Sequence, residues 1–177
     1  MPNVFEIDVK QIQDDARRHI EEGAVTAENT GDVDRIIEVL QQVVATEMVC
    51  YLRYTQNATQ ASGIDRAQVA AQFIEQAGEE LEHFHLATER ISQLGGTPDL
   101  DPQTIASRAH TQYSVPASTD LQGMLKENLI AERIVIEIYT EMVRWIGDAD
   151  PTTKRMIEHI LAEEEEHADE LKDLMGI

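Results

Sequence analysis

Six residues stand at spacings that could hold two metal ions: Glu47, then Glu80 with His83, then Glu132, then Glu164 with His167. A Glu and a His three positions apart lie on adjacent turns of one helical face, so both can converge on a single point. The chain supplies a lone Glu, a Glu-x-x-His, a second lone Glu and a second Glu-x-x-His. Glu47 precedes Glu80 by 33 positions and Glu132 precedes Glu164 by 32. Tyr54 and Tyr139 each stand seven positions after their lone Glu, on the same face. The two halves read as a pseudo-repeat about an approximate two-fold axis, as a dinuclear site requires.

The chemistry follows from charge. Four carboxylates buried together cost several kcal/mol per unpaired ion. Two divalent cations neutralise all four, and one imidazole completes each. Carboxylate and imidazole ligands with open positions suit iron or manganese, which also react with dioxygen or peroxide. Zinc has no redox chemistry, and calcium and magnesium disfavour imidazole. A third Glu-x-x-His pair, Glu82 and His85, falls off the apolar stripe and reads as surface. The flanking Glu79, Glu82, Glu163, Glu165 and Glu166 read as a solvated helix face. Tyr54 is a candidate for supporting the ligands or donating an electron. His19, His110 and His159 receive no site role, and Cys50 reads as a small core residue.

Long helices must position such a set. Apolar residues recur three and four apart over 33–61, through Ile36, Leu40, Val43, Val44 and Tyr54, with Asp32 as N-cap and Gly63 as the stop. A second segment runs over 66–94 through Val69, Phe73, Phe84, Ala87 and Ile91, and Gly95-Gly96 ends it. A third runs over 121–146 through Leu125, Leu129, Val135 and Tyr139. A fourth starts with Asp150 as N-cap and Pro151 at the first helical position, and reaches Met175. The candidate ligands are the polar residues that interrupt these stripes. Short links join the first pair and the second pair, and about 24 residues join the pairs, enough to cross the length of a bundle. The expectation is an all-α four-helix bundle over 32–177 with one long crossover carrying a short helix near 102–110. Residues 1–31 form an N-terminal extension, with a further amphipathic helix expected in VKQIQDDARRHIEEG.

Composition narrows the function classes. With 177 residues the chain suits one domain with a full core. Its formal net charge is -20, which repels nucleic acid and anionic lipid and attracts cations. No apolar run approaches the ~18 residues of a membrane span, and the start lacks the basic and apolar regions of a signal peptide. The one cysteine rules out an internal disulfide framework and a CxxC redox pair. A reducing cytoplasm is the expected location.

The pattern Glu47, Glu80-x-x-His83, Glu132, Glu164-x-x-His167 resembles the ferritin-like di-iron carboxylate proteins, and most of all the bacterioferritins. EELEHFHLATERISQLGGTPDL resembles the end of a bacterioferritin's second helix and the start of its crossover. The resemblance covers about residues 33–175 and implies a ferroxidase centre with two irons per subunit, manganese being the other candidate. Glu80 and Glu164 would bridge, Glu47 with His83 and Glu132 with His167 would be terminal ligands. Ferrous iron would be oxidised by dioxygen or hydrogen peroxide and stored as ferric mineral in a hollow shell. The haem-binding methionine of bacterioferritins is replaced by Leu81, so no haem is expected. The chain stops soon after the fourth helix, without the short fifth helix of 24-subunit cages. That departure looks more like the Dps-like mini-ferritins, which form 12-subunit shells but place iron between subunits. The resemblance therefore points to a Dps-like homo-oligomer with a bacterioferritin-type centre inside each bundle. Some such proteins carry a cysteine pair near the site, which Cys50 alone cannot supply. The alternative is a non-storage di-iron or di-manganese redox enzyme of peroxidase, catalase or hydroxylase type. DNA protection needs a basic tail, whereas the first 31 residues offer only Lys10, Arg17 and Arg18 among several acids.

Overall fold

The computed structural model describes residues 5–117 and 119–177. The first four residues of the expected extension lie outside the described residues. Six α-helices follow in order: α1 (Val9–Arg18), α2 (Val33–Gln60), α3 (Arg66–Gln93), α4 (Ile105–Arg108), α5 (Leu121–Ile146) and α6 (Pro151–Met175). A 3-10 turn at Ile20–Glu22 follows α1. No strand occurs among the described residues.

The helix starts obey capping chemistry. The Asp32, Asp120 and Asp150 carboxylates accept the backbone N–H groups of Arg35, Gly123 and Thr153, satisfying donors that the first turn leaves free. Pro151 opens α6, where its missing N–H costs nothing. At the end of α3 the two glycines have different reasons. Gly95 takes a φ of +85°, and a Cβ on Gly96 would press to 3.0–3.1 Å of Ile91 and Ile37.

Helices α2 and α3 pack as one hairpin and α5 and α6 as the other. At 1.5 Å per residue the four are ~37–42 Å long, so only an extended segment can return the chain between hairpins. Residues 94–117 do this along α2, and α2 fastens them. Gln41 donates to the Thr97 carbonyl and accepts from Asp99 N–H, His110 N–H donates to the Thr46 hydroxyl, and Gln60 donates to the Pro116 carbonyl.

The apolar core divides into two clusters. One gathers Ile36, Leu40, Val43, Phe84, Ile91, Val135, Tyr139, Ile157 and Ile160. The other gathers Tyr54, Val69, Phe73, Met124, Leu125 and Leu171. Between them, where apolar residues would otherwise continue the stripes, Glu47, Glu80, His83, Glu132, Glu164 and His167 are buried. Helix α1 has no buried residue.

Candidate metal centre

One side chain comes from α2, two from α3, one from α5 and two from α6, and all six face the bundle axis. Glu47, Glu80, His83 and Glu164 form one set whose ligand atoms lie within 4.8 Å of one another, and Glu80, Glu132, Glu164 and His167 form another. The sets overlap in Glu80 and Glu164. His83 Nδ1 lies 3.2 Å from Glu164 Oε1, 3.6 Å from Glu47 Oε2 and 3.9 Å from Glu80 Oε2. His167 Nδ1 lies 3.4 Å from Glu164 Oε2 and 3.7 Å from Glu80 Oε1.

The hydrogen bonding of this donor set fits metal. Eight buried atoms of these six residues have no hydrogen-bond partner: Glu47 Oε2, both oxygens of Glu80, His83 Nδ1, Glu132 Oε2, both oxygens of Glu164 and His167 Nδ1. Buried polar atoms are nearly always paired, and each orphan costs about 1–3 kcal/mol. Here the orphans are all potential donors of lone pairs to a cation, and they face one another. The bundle thus holds a buried Glu/His site fitted to two metal ions.

The remaining atoms of the set point outward and are all engaged. His83 Nε2 lies 2.7 Å from Glu163 Oε2, and His167 Nε2 lies 2.7 Å from Glu79 Oε2. Tyr54 donates its hydroxyl to Glu132 Oε1 at 2.5 Å, and Tyr139 donates to Glu47 Oε1. Each tyrosine reaches from one hairpin to the lone glutamate of the other, and each comes from a different core cluster. Burial, then the neighbouring carboxylates, push both phenols well above their ordinary range, so both stay protonated and donate.

Arg53 stands behind Glu132, almost wholly buried. Its guanidinium donates to Asn128 Oδ1 at 2.7 Å, to the Gln112 carbonyl at 3.2 Å and to Cys50 Sγ at 3.4 Å, and Nη2 is 4.0 Å from Glu132 Oε1. The arginine therefore ties the crossover to the rear of the site. Burial raises the Cys50 thiol well above its ordinary range, which suppresses thiolate chemistry.

Without cations the centre takes up protons. Burial and the charge of Glu164 push the Glu80 and Glu132 carboxyls well above the usual range. Burial disfavours the imidazolium of His83, but the Glu164 and Glu47 carboxylates at 3.2 and 3.6 Å outweigh it and push the group up to about 11. For His167, Glu164 again outweighs burial and pushes it up to about 10. Protons thus occupy the positions that cations would fill.

Glu75, Glu79, Glu163, Glu166 and Glu170 line a pocket of about 90 Å³ that reaches His167 from the α3–α6 surface. A larger hollow of about 390 Å³ on the outside of α5 has no comparable ligand set.

The six ligand candidates and Tyr54 come together in the bundle, and Glu82, His85 and His159 lie on the surface. Helical periodicity puts Glu79 and Glu163 on that surface too. Their side chains are 41% and 35% exposed, yet each is bonded to a buried histidine. The available signal was the duplicated Glu-Glu-x-x-His, in which each stands just before a candidate ligand. Arg53 was not singled out, although it follows Thr46 and Cys50 at helical spacing on the face that meets the crossover.

Comparison with known proteins agrees with this architecture. The sequence profile of the ferritin family, a ferritin-like domain, matches residues 37–177. The chain belongs to the ferritin-like family. The bacterioferritin-related dodecameric thioferritin of Bacteroides fragilis is 36% identical, with a TM-score of 0.78, over 81% of this chain and 86% of that one. A DNA protection during starvation protein of Pyrococcus furiosus is 32% identical over 151 residues, covering 84% of this chain and 81% of that protein. The Dps of Thermosynechococcus elongatus, at 21% identity and a TM-score of 0.76 over 80% of this chain and 90% of that one, shares the ferritin-like fold.

Proposed function

We propose that this protein is a ferroxidase that oxidises ferrous iron at the intra-bundle centre and stores the ferric product in a shell of identical subunits. The observation that carries the reading is the set of eight unpartnered, mutually facing carboxylate and imidazole atoms. Glu80 and Glu164 bridge two iron ions, Glu47 and His83 complete one position, and Glu132 and His167 complete the other. The overlap of the two four-residue sets in Glu80 and Glu164 supports those roles. Manganese satisfies the same donors, but ferrous iron is the substrate in this reading.

Each ferrous ion gives up one electron. Hydrogen peroxide takes two electrons and two protons to become two waters, and dioxygen takes four of each. The chain's own part is to bind and neutralise. Four carboxylates hold two dications at no net charge, and two imidazoles offer neutral lone pairs. The tyrosines fix the outer oxygens of Glu47 and Glu132, and Tyr54 stands within reach as a supplementary electron donor. The acidic pocket beside His167 and the net charge of -20 draw cations inward.

Twelve subunits are the proposed assembly, supported by the dodecameric Bacteroides relative. Two relatives carry DNA protection or DNA binding in their names. The strong negative charge favours no nucleic-acid partner for this chain. No described helix is long and apolar enough to cross a membrane, and the reading places the protein in the cytoplasm.

The test is ferrous oxidation by wild-type protein and by Glu80→Ala and Glu164→Ala, followed by electron microscopy of the loaded particle. Expected are two metals bound per chain, loss of rapid oxidation in both variants with the bundle folded, and an electron-dense core in a particle near twelve subunits. Unchanged oxidation in both variants refutes the site. Two metals bound with no core would make the protein a di-metal redox enzyme instead.

A further inference from the structure

We propose that Arg53 makes the two metal positions unequal, so that the position of Glu47 and His83 fills first and that of Glu132 and His167 holds the weaker, exchangeable ion. The inference rests on the ligand assignment above and concerns a residue outside it. Arg53 is 1% exposed, and an arginine keeps its charge in any protein environment. Its hydrogen bonds all go to neutral groups: Asn128 Oδ1, the Gln112 carbonyl and the Cys50 thiol. Among the described residues, the one carboxylate within 4.0 Å of it belongs to Glu132. A fixed positive charge is therefore buried behind one half of the centre.

The other half has no such charge. Arg53 stands six positions after Glu47, and its partner Asn128 stands four before Glu132. The corresponding residues are Ile138, six after Glu132, and Val43, four before Glu47, and both are apolar. The tyrosines keep the two-fold relation, since each donates to the lone glutamate of the other hairpin. The guanidinium and its amide partner break it. Among the described residues, the one salt-bridge partner of Glu47 is His83. His110, which meets Thr46 beside Glu47, is held below the ordinary imidazole range by burial and adds no fixed charge. Of two dications, the one a few ångströms closer to a guanidinium binds about tenfold more weakly at an effective dielectric of ~20. Arg53 also competes with that ion for the charge of Glu132. The weaker position is the one that the acidic pocket reaches, through His167, so the exchangeable ion lies beside the surface opening.

The experiment uses the full assembled protein and zinc, which needs no oxidant. Anomalous diffraction from crystals prepared with one zinc per chain reads the occupancy of each position, and calorimetry reads the two affinities in solution. Two variants accompany the wild type. Arg53→Lys keeps the charge, and Arg53→Met combined with Asn128→Val gives this half apolar residues like those of the other. Expected in the wild type is an occupancy about tenfold higher at Glu47 and His83, and a brief chelator soak should empty the Glu132 and His167 position first. The double variant should bring the two occupancies together and tighten the weaker step about tenfold, while Arg53→Lys keeps the wild-type order. Equal filling in the wild type, or filling in the reverse order, overturns the proposal whether or not a variant folds. So does an unchanged preference in the folded double variant. Equal filling in Arg53→Lys would assign the effect to shape and overturn it too. Zinc at neither position would refute the ligand assignment and this inference with it, whereas zinc at both with equal affinity refutes only the role of Arg53.

Discussion

Removing metal should make stability fall as pH rises. In the bare protein His83 and His167 hold their protons up to about 11 and about 10, whereas an unfolded histidine loses its proton near pH 6.5. Between those limits the native state carries two protons that the unfolded state has released, so stability falls as pH rises. Each excess proton contributes about 1.4 kcal/mol per pH unit, and two imidazoles contribute at most about 2.7 between pH 7.5 and 8.5. Glu80 and Glu132, also raised, act in the same direction, starting from about the ordinary carboxylate value. Glu164 is held below its ordinary value, because the facing His167 and His83 rings, at 3.4 and 3.2 Å, overcome burial. Its stabilisation is lost only as pH falls into the acid range, so it adds no slope in this window. Bound cations displace the imidazole protons, and the excess disappears. The assay is chemical denaturation at fixed protein concentration, with chelator or with zinc, at several pH values from 7 to 9. The bare curve should descend steeply while the loaded curve stays nearly flat, so the gap between them widens with pH. Surface carboxylates contribute equally to both and cancel in the difference. Parallel curves would refute the argument that protons and cations compete for this centre.

Two further perturbations follow from the same geometry. Tyr54→Phe and Tyr139→Phe each remove one hydrogen bond to a ligand carboxylate, and each should cost the loaded protein about 1.5–3 kcal/mol, the range for bonds to charged groups. The cobalt absorption spectrum should shift in both, and an unshifted spectrum would mean that the phenols do not restrain the ligands. Arg53→Met leaves Asn128 Oδ1 and the Gln112 carbonyl without their donor, and the buried network should lose about 3–5 kcal/mol. Amide exchange should quicken at 109–113, where the crossover lies against α2. A loss below about 1 kcal/mol with unchanged exchange would show that the crossover is held by its other contacts.

The helical stripes were legible because they are local. A residue's face is set by 3.6-residue periodicity, so Glu47, Glu80, His83, Glu132, Glu164 and His167 could be placed inward by asking which polar residues interrupt Val43, Phe73, Leu129 and Ile160. Asp32 and Asp150 cap within three residues, again a local matter. The Gly95-Gly96 stop and the long link to Asp120 sufficed for the crossover. The bundle, its connectivity and the inward set of six therefore follow from local patterns alone. The partners of these residues come from packing between helices. Which hydroxyl meets which carboxylate depends on how the two hairpins dock: Tyr54 reaches Glu132, 78 residues away, and Tyr139 reaches Glu47 across 92. Glu79 and Glu163 sit at the edge of their helices' buried faces, a position that periodicity assigns to solvent. The opposing helix converts that edge into a contact, 88 residues away for Glu79 and 80 for Glu163. Arg53 is the same case, since its hydrogen-bond acceptors Gln112 and Asn128 arrive on the crossover and α5. Periodicity fixes a residue's direction from its own helix, but the packing of the other helices fixes what stands there.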